Sequence, residues 1–200
     1  MDSTWECTLR LPETWVAVMP DMTDADLDEQ VDARRLDAPL AATLKDKLRM
    51  LREDLDHRSA LYGALTWQPD EVDGVFSANV LVFAAPRSAA GLPVDAEIRT
   101  LADRLPTERS GDVTPPDVAE VELPAGPAVR VRVLTETSPD DDGATMVLDC
   151  VQYWLPLADH AENVIFSFST PNLALGDQFA EMFDRIAQTI EIGAAERSST

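Results

Sequence analysis

The stretch Asn163-Val-Ile-Phe-Ser-Phe-Ser169, followed by Thr170-Pro171 and then by Leu175, Phe179, Met182, Phe183, Ile186 and Ile190, decides the fold class. Val164, Phe166 and Phe168 share one face of an extended strand, because successive side chains in a strand point to opposite sides. Beyond Pro171 the apolar residues recur at helical spacing, which predicts an amphipathic helix. Thr170 is placed to cap that helix with its hydroxyl, and Pro171 supplies a helical φ where no amide hydrogen is needed. A helix with one apolar stripe has to be covered, and the strand before it supplies the sheet.

Working back from this unit, alternation at Trp5, Cys7, Leu9 and Leu11 predicts an N-terminal strand ended by Pro12. Thr23 and Asp26 resemble a helix cap followed by a narrow stripe at Leu27 and Val31. Asp37 and Pro39 start a stronger helix, whose Leu40, Leu44, Leu48, Leu51 and Leu55 lie on one face with charged residues opposite. Ala60–Trp67 and Val75–Ala85 read as strands joined by a turn-rich linker, and Pro93 opens a short helix with the stripe Val94, Ile98, Leu101 and Leu105.

Asp117–Leu123 and Val129–Thr135 flank Pro124-Ala-Gly-Pro-Ala128 and predict a hairpin. With Leu123 opposite Val129, Glu122 meets Arg130 and Glu120 meets Arg132 on a solvent face, while Val129, Val131 and Val133 face the core. Met146–Leu157 and Asn163–Ser169 form a second, longer hairpin. Consecutive antiparallel strands with helices on either side specify an α+β domain, a twisted antiparallel sheet of about six to seven strands with the closing helix packed on it. One domain is expected over residues 1–192, with the small polar residues 193–200 as a disordered tail.

The N-terminal strand ending in Leu11-Pro12 with Trp15 after it, the meandering strands, and the ending Phe166-Ser-Phe-Ser-Thr-Pro171 leading into Phe179, Met182, Phe183, Ile186 and Ala187 together resemble the PsbP/DcrB-like superfamily. The likeness spans residues 5–192 as an order of elements and brings no active-site motif. It implies a twisted antiparallel sheet flanked by helices, and a small non-enzymatic binding or assembly protein, such as a subunit of a larger complex or a chaperone.

A formal charge of −21, from 37 acidic against 16 basic residues, repels phosphate backbones and argues against sequence-general nucleic-acid binding. Acidity of this kind also follows from selection for solubility or from a proteome-wide bias. No basic region or apolar run opens the chain, and no stretch is long and apolar enough for a membrane helix. A cytoplasmic protein without a membrane span is therefore expected, with Cys7 and Cys150 as buried thiols.

Chemistry-bearing constellations are sparse. His57 and His160 have no partner at ligand spacing, and no Gly-x-Ser-x-Gly exists to complete a triad with Asp159 and His160. Asp140-Asp-Asp-Gly143 lacks the alternating acids of a calcium loop and reads as a turn. No glycine-rich phosphate loop is present. No catalytic residue, metal site or cofactor is expected.

The densest like-charge run comprises Asp21, Asp24, Asp26, Asp28, Glu29 and Asp32, which read either as a solvated helix face or as a docking surface for a basic partner. Among the tryptophans, Trp5, Trp67 and Trp154 belong with apolar neighbours, whereas Trp15 is expected to be exposed and available to a partner. The reading is a non-catalytic protein-interaction domain, an adaptor, assembly factor or chaperone-like subunit, with Asp24, Asp26, Asp28, Glu29, Asp32 and Trp15 as partner-binding residues. The alternatives are an enzyme whose site assembles only in three dimensions, and an acidic mimic that occupies a basic nucleic-acid site on another protein.

Overall fold

A computed structural model describes residues 5–70, 74–89, 91–106, 112–137, 145–158 and 160–194. The elements are β1 (Trp5–Thr8), β2 (Val16–Val18), α1 (Asp24–Asp32), α2 (Ala38–Arg58), β3 (Tyr62–Asp70), β4 (Gly74–Pro86), α3 (Val94–Arg104), β5 (Asp117–Leu123), β6 (Gly126–Glu136), β7 (Val147–Pro156), β8 (Glu162–Thr170), α4 (Gly176–Ala187) and β9 (Glu191–Ala194). Seven strands form one antiparallel sheet in the order β2-β3-β4-β8-β7-β6-β5, and β1 pairs with β9 in a separate ribbon. The class is α+β, as the alternation and the closing helix require.

Both faces of the large sheet are covered. On one, Val80, Val82, Val151, Tyr153, Phe166 and Phe168 pack with Phe179, Phe183 and Ile186 of α4, and Trp5 brings in the β1–β9 ribbon. Phe168 and Phe183 stack with ring centroids 5.0 Å apart. On the opposite face α2 buries Leu44, Leu48, Leu51 and Leu55 against Leu65 and Leu81, with Leu27 and Val31 of α1 beside them. Further along that face, Ile98 and Leu101 of α3 cover Val129 and Val131. Burial of three such apolar stripes, at roughly 25 cal/mol per Å² of apolar surface, is the main force that holds the layers together.

The caps explain where two helices begin. Thr23 accepts a hydrogen bond from the Asp26 amide while Asp26 accepts from the Thr23 amide, a reciprocal capping box. Asp37 accepts from the Leu40 amide at 2.9 Å, with Pro39 in the first turn.

Four expectations are corrected. Thr170 does not cap α4: its hydroxyl donates to the Ser77 carbonyl at 2.7 Å and accepts from the Asn172 amide, so the chain finishes its sheet pairing, makes a short turn at Leu173–Leu175, and enters α4 only at Gly176. The β5–β6 hairpin is tighter than expected. Leu123 lies opposite Gly126 and Ala119 opposite Arg130, because Gly126 adopts φ +124, a backbone region nearly closed to other residues, and leaves Pro124-Ala125 as a two-residue turn.

The solvent face expected for Arg130 and Arg132 is instead the α4 side, where Arg130 meets Asp184 and Arg132 meets Asp149 and Asp177. Val129, Val131 and Val133 are buried, as the alternation required. Finally, Gly193 and Ala194, assigned to a tail, belong to β9 and pair with Glu6 and Trp5. Residues 195–200 and the Asp140–Gly143 turn lie outside the described residues.

Candidate functional site

The acidic run divides into roles once α1 and α2 are placed side by side. Asp24, Asp28 and Asp32 recur one helical turn apart, and α2 presents Arg52, Arg49 and Lys45 to them. Asp24 accepts from Arg52 at 2.7 Å, Asp28 from Arg49 at 2.8 Å, and Asp32 lies 2.9 Å from the Lys45 ammonium. The Asp32 hydrogen bond raises the Lys45 pKa. Asp26 is engaged in the cap, and the Thr23 amide holds its carboxyl below the usual range. Glu29 is exposed. Four of these carboxylates thus already serve the chain's own helices, three as partners of α2 cations and one as a cap.

Trp15 is not an exposed anchor. It is 5 % exposed and packs in the same core cluster as Trp5. Its amide donates to the Pro12 carbonyl and its carbonyl accepts from Arg34 at 2.7 Å, so the proline-bounded turn folds the indole inward. Trp5 is buried as expected, while Trp67 and Trp154 are half-buried against the clusters under α2 and α3.

What the structure brings together instead is a groove between α4 and the outer part of the sheet. Because α4 packs on β7 and β8, a space of about 290 Å³ is left beside it over β5 and β6. Val121 and Leu123 form one wall, and Arg185 of α4 with Gln188 just beyond its end form the other. Its floor is polar but internally satisfied. Arg130 Nε donates to Asp184 Oδ1 at 2.8 Å, and the Tyr153 hydroxyl donates to the same carboxylate. Burial and the neighbouring Asp184 push the Tyr153 pKa upward, so the phenol stays protonated. Burial lowers the Arg130 pKa, but the Asp184 hydrogen bond and charge outweigh it.

Two further features adjoin the α3 end of the sheet. A shallow depression of about 430 Å³ lies between Trp5, Pro127, Pro156, Leu157, His160 and Ile192. Behind it, the buried Arg87 guanidinium donates to the carbonyls of Leu157 and Leu92, which ties the β7–β8 turn to the approach to α3. Glu97 is fully buried and accepts from the Ser88 amide and hydroxyl and from the Asn163 side chain. These bonds tie α3 to the ends of β4 and β8.

Among the described residues, no three of His, Cys, Asp and Glu come together as a metal-holding group, and no helix is long and apolar enough to cross a membrane. Cys7 is half-buried, with its thiol pushed up by burial, and Cys150 is buried. No protein-family model matches the chain, and no curated protein matches it.

The groove and the strand beside it were not singled out from the sequence. The signal was present in Asp117-Val-Ala-Glu-Val-Glu-Leu123, whose acids leave only one apolar face, that of Ala119, Val121 and Leu123, whereas Val147–Pro156 and Glu162–Thr170 are mostly apolar on both. That contrast marks an edge strand, and an edge is where a sheet meets other molecules.

Proposed function

We propose that this chain is a non-catalytic protein-interaction domain of the cytoplasm, an adaptor or assembly subunit that docks its partner at the β5 edge and the groove beside α4. One observation carries the reading: in a sheet covered on both faces, β5 ends the strand order as a seven-residue edge, directly beside a concavity lined by Val121 and Leu123. The other edge, β2, has three residues, and Val16 and Val18 are buried under α1 and α2.

Supporting this, the titratable groups on the groove floor are bonded to one another. They hold the groove's shape. The resemblance to a superfamily of binding and assembly proteins points the same way. The mimic alternative loses ground because Asp24, Asp28 and Asp32 are matched by α2 cations and do not form a bare row of charge.

The test is affinity capture from the native organism with wild-type, Val121→Lys, Gln188→Arg and Glu29→Gln proteins, followed by reconstitution with the purified partner. Retention by wild type and Glu29→Gln, with loss in both groove variants, supports the assignment. A complex indifferent to Val121→Lys and Gln188→Arg, but lost on Glu29→Gln, returns the interface to α1.

A further inference from the structure

We propose that the β5 site works by strand addition, its occupant being an extended partner segment in which apolar and basic residues alternate. The inference rests on the protein-interaction reading and specifies its geometry and chemistry.

Backbone parity comes first. A two-residue turn closes on a hydrogen-bonded pair, here Leu123 and Gly126, so Asp117, Ala119, Val121 and Leu123 bond inward to β6. Val118, Glu120 and Glu122 therefore turn their amides and carbonyls to the open side. The next part of β6 shows the same parity and shows what such an edge accepts. Where β5 has not yet begun, the Val113 amide donates to the Leu134 carbonyl at 2.7 Å, and Thr114 Oγ1 accepts from the Leu134 amide. Val113 and Thr114 thus cover the edge of β6 at Leu134, whereas among the described residues the edge of β5 receives only a long contact from Gln188 Nε2 to the Glu122 carbonyl at 3.5 Å.

Side-chain parity then selects the occupant. A strand added here continues the sheet, so alternate side chains fall on its two faces. On the α4 face they reach the groove beside Val121 and Leu123, which suits apolar residues. On the other face they lie next to Glu120 and Glu122, both exposed, and β5 carries no cation of its own. Basic residues are the complement there, and a chain of charge −21 attracts such a segment from a distance. A second copy is the wrong partner, because pairing β5 with another β5 sets carboxylates against carboxylates.

The experiment uses a fluorescein-labelled, end-capped peptide of alternating lysine and valine, read by anisotropy against the full chain. Controls are a peptide of the same composition with the lysines grouped together, and one with glutamate in place of lysine. Saturable binding of the alternating peptide is expected, weakened about tenfold or more in high salt. Glu120→Pro removes an outward amide without touching a β6 bond and should abolish it.

The Glu120→Lys/Glu122→Lys double variant should lose the lysine peptide and gain the glutamate one, which also shows that it is folded. Equal binding of the grouped peptide, indifference to Glu120→Pro, or no saturable binding overturns strand addition and leaves the two glutamates as guards of the edge. A dimer in sedimentation velocity that Glu120→Pro dissociates overturns it in favour of self-pairing. If the peptide fails while the captured partner still depends on Val121 and Gln188, the interaction reading stands and only strand addition falls.

Discussion

Gly176 approaches Asp149 so closely that a β-carbon on it would lie 2.5 Å from Asp149 Oδ2. This contact is what sets the start of α4 on the sheet. Asp149 is buried and held by Arg132, whose Nη2 donates to it at 2.7 Å while Nη1 reaches Asp177 in the first turn of α4. Gly176→Ala should therefore displace the carboxylate or lift the helix, at a cost of about 1–3 kcal/mol in urea unfolding. In an Asp149→Ala background the cost should shrink, because the clash is gone. Additive effects of the two substitutions would show that the close approach is not the cause.

Phe183 is the central anchor of α4, stacked on Phe168 and 5.9 Å from Phe179 between ring centroids. It is 1 % exposed, so Phe183→Ala should leave a cavity costing about 3–5 kcal/mol. A loss below about 1 kcal/mol in the same unfolding measurement would mean that the helix does not rest on β8 in solution.

Periodicity made the core legible. Leu44, Leu48, Leu51 and Leu55 on α2, and Val164, Phe166 and Phe168 on β8, are buried where their spacing puts them. What periodicity does not contain is which polar group meets which. The register of β5 on β6 turned on one torsion, that of Gly126, and a wider turn around the two flanking prolines satisfied the same alternation. Trp15 turned inward in a turn whose carbonyl is held by Arg34 of a later segment, a pairing that no local pattern encodes. The candidate site was the least legible part, since an edge strand is defined by the neighbour it lacks and a groove by the position of a helix more than sixty residues further along the chain.

The cation ladder of α2 predicts that the acidic run matters to folding before it matters to a partner. Asp28→Asn removes the acceptor shared by Arg49 and Lys45, both partly buried, and should destabilise by about 0.5–1 kcal/mol, whereas Glu29→Gln should be neutral within error. Raising salt should narrow the difference, because exposed pairs are screened. Equal effects of the two substitutions would show that the pairing with α2 contributes nothing.

Glu97 gives the fold a defined weakness in acid. Burial pushes its carboxyl pKa up, but the Ser88 amide, the Asn163 side chain, the Ser88 hydroxyl and the charge of Arg87 together outweigh burial and hold it below the ordinary value of 4.5. A carboxylate whose folded pKa is depressed contributes stability that is fully present above the unfolded value and is lost as pH falls through the folded one. Wild type should therefore exceed Glu97→Gln in urea midpoint at neutral pH, and the gap should narrow once the pH drops below about 4.5, as wild type takes up the proton that the amide variant cannot. The loss should appear first where Glu97 ties α3 to β4 and β8, so the protection of the Ser88 amide, relative to its intrinsic exchange rate at the same pH, should fall in acid before that of α2 does. A gap constant from neutral pH down to acid would mean that Glu97 gains no net stabilisation from its partners.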